Sequence, residues 1–230
     1  QPASASASPP VPVRVWDFPT RLFHWSLAAS VVALFITAKV GGNAMTWHLR
    51  LGYVVLALLL FRVVWGVVGG RWSRFASFFY GPGRVLRYLR GQGEAQEHVG
   101  HNPLGALSVF ALLGTLLAQV LTGLMADDEI AFSGPLTRFV SGDTVAWATS
   151  LHTDVGQWLL VALVALHLAA IAFYTHIKRH SLVRPMVLGD KQLPASTPAS
   201  RDDARTRLLA AVVLAAAAAA AWWVAQLGVF

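Results

Sequence analysis

Five apolar runs, each near the roughly 20-residue length that crosses a bilayer, leave this chain few ways to fold. They occupy residues 21–40, 47–68, 103–125, 152–174 and 207–230. Of the 230 residues, 13% are charged, and mean hydropathy is +0.56; an average soluble domain is about 25% charged. Composition and run length together predict an all-α integral membrane protein. The runs also carry start signals. Asp17 and Pro19 precede or open the first, and Asn102 and Pro103 the third. Side-chain oxygens at such positions cap free N–H groups, and proline there forfeits no hydrogen bond.

A net charge of +7 does not point to nucleic acid, because the basic residues sit in loops between apolar runs. Arg14 and Arg21 lie at the start of the first run, and Arg71, Arg74, Arg84, Arg87 and Arg90 between the second and third. Lys178, Arg179, Arg184, Lys191, Arg201, Arg205 and Arg207 lie between the fourth and fifth. The alternate connections are poor in basic residues: GGNAMT has none, and the loop after the third run sets Arg138 against Asp127, Asp128, Glu129 and Asp143. The positive-inside rule places the N-terminus in the cytoplasm and the C-terminus outside, in the periplasm of a bacterial inner membrane. The outer loop of about 25 residues is long for a helix connection, which points to a function or a short surface helix there, and Phe139, Val145 and Trp147 are expected along the interface.

Residues 1–13, rich in Ser, Ala and Pro, are expected to be a disordered tail. They lack an initiating Met, as in a processed or trimmed chain, and the first run could act as a signal anchor. Residues 190–206, with Pro194 and Pro198, read as a cytoplasmic linker to the fifth run.

No cysteine is present, which excludes thiolate iron–sulfur ligation, c-type haem attachment and disulfides. Histidine is the remaining ligand for a redox centre. His152 and His167 are fifteen residues apart in the fourth run, so they share a helix face about 22 Å apart in depth. By depth, His24 of the first run matches His167 near the cytoplasmic side, and His48 of the second matches His152 near the outer side. Two imidazoles per site suit bis-histidine haem b, a closed iron built for electron transfer. Gly156, Leu159, Leu163 and Ala170 share the histidine face, and Gly156 is expected to let a ring approach. Arg62 lies about 40° from the His48 face and about 21 Å deeper. An intramembrane arginine needs an anionic partner, so Arg62 and Arg21 are candidate propionate contacts, with Arg50 a further one. His101 and Asn102 are candidate propionate or quinone contacts. His98, His176 and His180 read as solvated interfacial residues. Zinc is disfavoured because each pair offers too few ligands, and a proton relay because the runs lack inward carboxylates.

The segments WDFPTRLFHWSLA, HLRLGY followed by FRVVWG, GHNPLGAL, LHTDVGQ and HIKRHSLVRPMVLG resemble the bacterial cytochrome b561 family, which includes the b-type cytochrome subunits of nickel–iron hydrogenases. The resemblance implies a four-helix membrane core over residues 14–189 holding two haem b groups, with His24, His48, His152 and His167 as ligands. It implies electron transfer between the quinone pool and an outer partner such as a hydrogenase, a cytochrome c or another redox subunit. The fifth run, residues 207–230, departs from that core and is expected to anchor a partner or stabilise the bundle. Alternative readings are a self-sufficient superoxide:quinone oxidoreductase and a membrane anchor subunit of a larger redox complex.

Overall fold

The computed structural model describes residues 9–228. The structure holds five helices long and apolar enough to cross a membrane. Helix α1 (Phe18–Val40) starts on Asp17, whose carboxylate accepts the Thr20 N–H at 2.8 Å, and stops at Gly41, with φ of 66°. Helix α2 (Met45–Val68) follows a single 3₁₀ turn. A short α3 (Pro82–Leu89) lies in the Arg-rich connection. Asn102 caps α4 (Pro103–Met125), accepting the Gly105 N–H at 2.7 Å.

The fourth apolar helix is longer than residues 152–174. Ser141 caps α5 (Gly142–Ser150), which runs through a π-helical stretch, Leu151–Gly156, into α6 (Gln157–Ala172) and a second π stretch, Phe173–Ile177. The whole rod is 36 residues, about 54 Å at 1.5 Å per residue, against a hydrocarbon core of about 30 Å. Val145 and Trp147 therefore lie on an extension of the fourth helix rather than in a loop. The loop that remains, 126–141, is tightened by Asp128, whose Oδ1 accepts N–H groups from Ile130, Ala131 and Phe132.

At the opposite, Arg-rich end the expected tail and linker are partly structured. Residues 1–8 lie outside the described residues, but β1 (Val11–Arg14) pairs antiparallel with β2 (Asp190–Leu193), in the register Val11↔Leu193 and Arg14↔Asp190. A short α7 (Val183–Leu188) leads into that ribbon. Ser200 is buried and donates its N–H to the Arg14 carbonyl and its hydroxyl to the Val15 carbonyl, each at 2.7 Å. The correction has a physical cause: Val11 and Val13 alternate across the proline, and Arg14 reaches Asp190 at 2.8 Å and Asp202 at 3.0 Å. Composition alone shows neither partner.

Helix α2 is the centre of packing. Its Val55, Leu56 and Leu59 meet Leu116, Val120 and Leu124 of α4, and its Leu58, Phe61 and Trp65 meet Phe23 of α1. The last helix, α8 (Ala204–Gln226), is capped by Asp203 and lays Ala210, Ala217 and Ala221 against α2. Small residues permit such close approach where lipid offers no hydrophobic driving force.

Buried Asp17 ties α1 to the end of α2. Besides Thr20 N–H it accepts Trp65 Nε1–H at 3.1 Å and the Ser73 hydroxyl at 2.7 Å, and Ser73 accepts the Thr20 hydroxyl at 2.7 Å. Gly70 passes so close to this carboxylate that a Cβ there would collide with it. An Asp17→Ala variant strands these donors, each at about 1–3 kcal/mol when buried and unpaired. A clear fall in melting temperature in detergent is expected, and an unchanged melt would show that the carboxylate contributes no stability.

Candidate functional site

The four intramembrane histidines come together as two pairs. His48 and His152 have ring centroids 6.1 Å apart with planes at 90°; His24 and His167 are 6.5 Å apart at 51°. The first pair lies toward the acidic 126–141 loop, the second toward the Arg-rich end.

The first pair is held by a repeated device. His48 Nδ1 lies 3.0 Å from the Leu34 carbonyl and 3.5 Å from the Thr37 hydroxyl. His152 Nδ1 lies 2.9 Å from the Gln119 carbonyl and 3.4 Å from the Thr122 hydroxyl. A carbonyl can only accept, so Nδ1 carries the proton in both rings and Nε2 keeps its lone pair. That is the arrangement in which a histidine's outer nitrogen fixes ring orientation while the other ligates metal. Thr37 and Thr122 each bond back to carbonyls three and four residues earlier. Gly123 lets the ring in: a Cβ there would lie 2.8 Å from His152 Cε1.

Between these helices is a cavity of about 690 Å³ lined by His48, His152, Gly52, Gly123, Val120 and Leu160, among others. That volume is within the roughly 300–1,000 Å³ of cofactor and ligand sites. Gly52, one turn after His48, opens into it, and a methyl group added there would meet nothing within 4 Å. Gly156 does not serve as expected. The space its missing side chain leaves is occupied by the Gln119 amide, and the cavity wall on α6 is Leu160, Val161, Val164 and Leu168 rather than Leu159 and Leu163. The π-helical stretch at Leu151–Gly156 changes the angular phase that a uniform 3.6-residue helix would give.

At the second pair the polar atoms are unsatisfied. His24 Nδ1, Arg62 Nη1, His101 Nδ1 and Arg21 Nε are buried without a hydrogen-bond partner. Arg62 is 4% exposed, with its guanidinium 4.6 Å from the Phe75 ring centre. His101 packs at 4.7 Å on Trp16 and 4.5 Å on Phe78; burial, followed by the nearby Arg62 charge, pushes it down to about 3, so it is neutral. Arg21 donates to the Val187 carbonyl at 2.5 Å. Asn102 spends its side-chain oxygen on the α4 cap. Arg50 stands apart: it is exposed, stacks on Trp47 at 5.1 Å and does not line the cavity. Gln119, Thr37, Thr122 and the Leu34 carbonyl were missed from sequence. Gln119 and Thr122, polar and almost one turn apart inside an apolar run, were the available signal.

The donor set can be tested against a haem. A metal–imidazole bond of about 2 Å, plus about 1.1 Å from nitrogen to ring centre, puts two trans imidazoles about 6.3 Å apart. The observed 6.1 and 6.5 Å bracket that value. Among the described residues no group of three or more His, Cys, Asp or Glu gathers, so within the water-poor spans neither pair could complete the shell of a bare ion. A porphyrin brings four nitrogens of its own and needs only the two axial ligands that each pair offers.

Facing imidazoles inside a set of apolar spans are the donor set of a membrane b-type cytochrome. Residues 15–189 match the family model described as Prokaryotic cytochrome b561, and the chain belongs to that family. It is thus a multi-pass membrane protein of a haem b family of electron carriers. Among its relatives, the "Probable Ni/Fe-hydrogenase B-type cytochrome subunit" of Azotobacter chroococcum is 29% identical, covering 77% of this chain and 87% of its own length. The protein of the same name from Bradyrhizobium diazoefficiens is 27% identical over 78% and 86%, and the "Probable Ni/Fe-hydrogenase 1 B-type cytochrome subunit" of Escherichia coli K12 is 25% identical over 66% and 79%. No solved structure matches the chain.

Two glycines test the cavity geometry. In the haem-free protein, Gly52→Ala should raise stability by about 0.5–1 kcal/mol, the helix penalty of glycine, because its methyl group meets only the cavity. Gly156→Ala should lower stability through its clash with Gln119. Thermal melts of both variants check the contrast, and equal shifts would contradict it.

Proposed function

We propose that this cytochrome carries two b haems, one held by His24 and His167 and one by His48 and His152, and passes electrons between quinone and a partner at its acidic end. When bound, haem b supplies a one-electron iron couple. Ring spacing carries the reading: both pairs lie near the separation of two imidazoles that would hold one metal between them. With both protein ligands bound, each haem would supply electron transfer rather than oxygen chemistry. His48 and His152 present Nε2 because backbone carbonyls hold Nδ1–H. At the other pair, Arg62 and His101 offer unpaired donors to haem carboxylates, and a charged guanidinium is the stronger partner for them. Arg21 is a further contact there. His101 and Asn102 are the residues we assign to a propionate or quinone contact at the same end.

Loop charge supports a cytoplasmic N-terminus, a periplasmic C-terminus and an acidic end facing the periplasm. The names of the relatives make a Ni/Fe-hydrogenase the first partner to assign; a periplasmic cytochrome c is the second. Residues 14–189 form the haem domain in this reading, and α8 stabilises it or anchors the partner.

His167→Ala should lower haem content from two to about one per chain while the His48–His152 haem keeps its spectrum. Pyridine haemochrome assay with potentiometric titration measures both, and retention of two haems would break the pairing. If Asp127, Asp128 and Glu129 steer a basic partner, its association rate should fall steeply between low and physiological salt. A salt-independent rate in stopped-flow would remove that role.

A further inference from the structure

Of the eight histidines, four are paired within the spans and His101 is half-buried with its Nδ1 enclosed. His98, His176 and His180 remain exposed at the Arg-rich end. Two of these also meet. The rings of His98 and His180 have centroids 5.7 Å apart with planes at 70°, although the residues are far apart in sequence. No hydrogen bond to any described residue occupies their ring nitrogens, and the His98 ring also lies 6.1 Å from that of Tyr88.

The backbone holds each residue where it is. Lys191 Nζ donates to the His98 carbonyl at 3.1 Å and the Val99 carbonyl at 2.7 Å. His180 donates its N–H to the Tyr174 carbonyl at 2.9 Å. Just before it, Arg179 takes a left-handed φ of 57°, uncommon for a residue with a side chain, and this turn folds His180 back along the fourth helix. Such outliers persist where surrounding contacts over-determine them.

We infer that His98 and His180 form a binding site for a borderline transition-metal dication of the Zn²⁺ or Cu²⁺ class, clamping the segment before α4 to the end of the fourth helix. With the metal–nitrogen bond used above, a tetrahedral pair of imidazoles has centroids about 5.1 Å apart and a linear pair about 6.3 Å. The observed 5.7 Å corresponds to a bent arrangement, unlike the near-linear pairs in the spans. Imidazole is a preferred ligand for these ions. Glu97 is not a third ligand, because Arg84 holds it at 2.6 Å, so water completes the shell and the site is of modest affinity. Lys191, held on the His98 carbonyl, is an opposing cation close to the site.

The test is calorimetric titration of ZnCl₂ into the haem-loaded full chain, in detergent and without a histidine tag. One ion per chain is expected, with affinity reduced more than about tenfold, the scale of even outer-shell losses, by either His98→Ala or His180→Ala. His176→Ala should bind as the parent does. An unchanged haem spectrum in each variant shows that the fold is retained. Loss in only one of the two variants, or in neither, overturns the site. A measurement free of variants is the Cu²⁺ EPR spectrum of the parent protein, which should show two imidazole nitrogens; one or none overturns it equally.

Discussion

A neutral imidazole carries one N–H donor and one lone pair, and in a hydrocarbon environment both must find partners. The acidic-end pair shows how the chain meets that demand. Leu34 with Thr37 on α1, and Gln119 with Thr122 on α4, form the same local device. A mid-helix carbonyl lends its second lone pair to Nδ1–H and the threonine hydroxyl stands beside it, and on α4 Gly123 leaves room for the ring. The ring is thus oriented by backbone rather than by a flexible side chain. The lone pair on Nε2 is left to be satisfied across the gap between helices.

The Arg-rich end solves a different problem. Here chain termini and connections must hold the spans in register without lipid. Asp17 gathers a helix N-terminus, an indole and a hydroxyl. Asp202, 7% exposed, meets Arg14, Arg21 and Arg207, so one carboxylate links β1, α1 and α8. With these anions committed to structure, Arg62 keeps an unpaired donor and His101 an unpaired ring nitrogen, as does His24. A buried donor left unpaired inside an otherwise satisfied region is expensive, and a bound carboxylate-bearing group would relieve that cost.

Packing follows from the same division. α2 is enclosed by α1, α4 and α8, while the fourth helix touches mainly α4 and faces α1 and α2 across the histidine gap. Apolar contact builds one side of the molecule, and the space for a planar cofactor lies on the other. The two π stretches on the fourth helix, one containing His152 and one after His167, shift its angular phase along the rod.

Much of this was legible in the residues. Span number followed from hydropathy, because every backbone group in lipid must bond within its own helix. Helix starts at Asp17 and Asn102 were readable because capping is local chemistry. The meeting of His24 with His167 and of His48 with His152 followed from depth along straight rods. The β1–β2 ribbon, the Asp202 cluster, the filling of Gly156 by Gln119 and the approach of His98 to His180 could not be read. They depend on contacts between segments distant in sequence, and on a π-helical phase shift that no periodicity reports. What the sequence by itself determined is therefore everything governed by run length, local capping and depth. Tertiary structure alone decided which faces meet and which polar atoms stay unpaired, because these depend on helix rotation and loop closure in space.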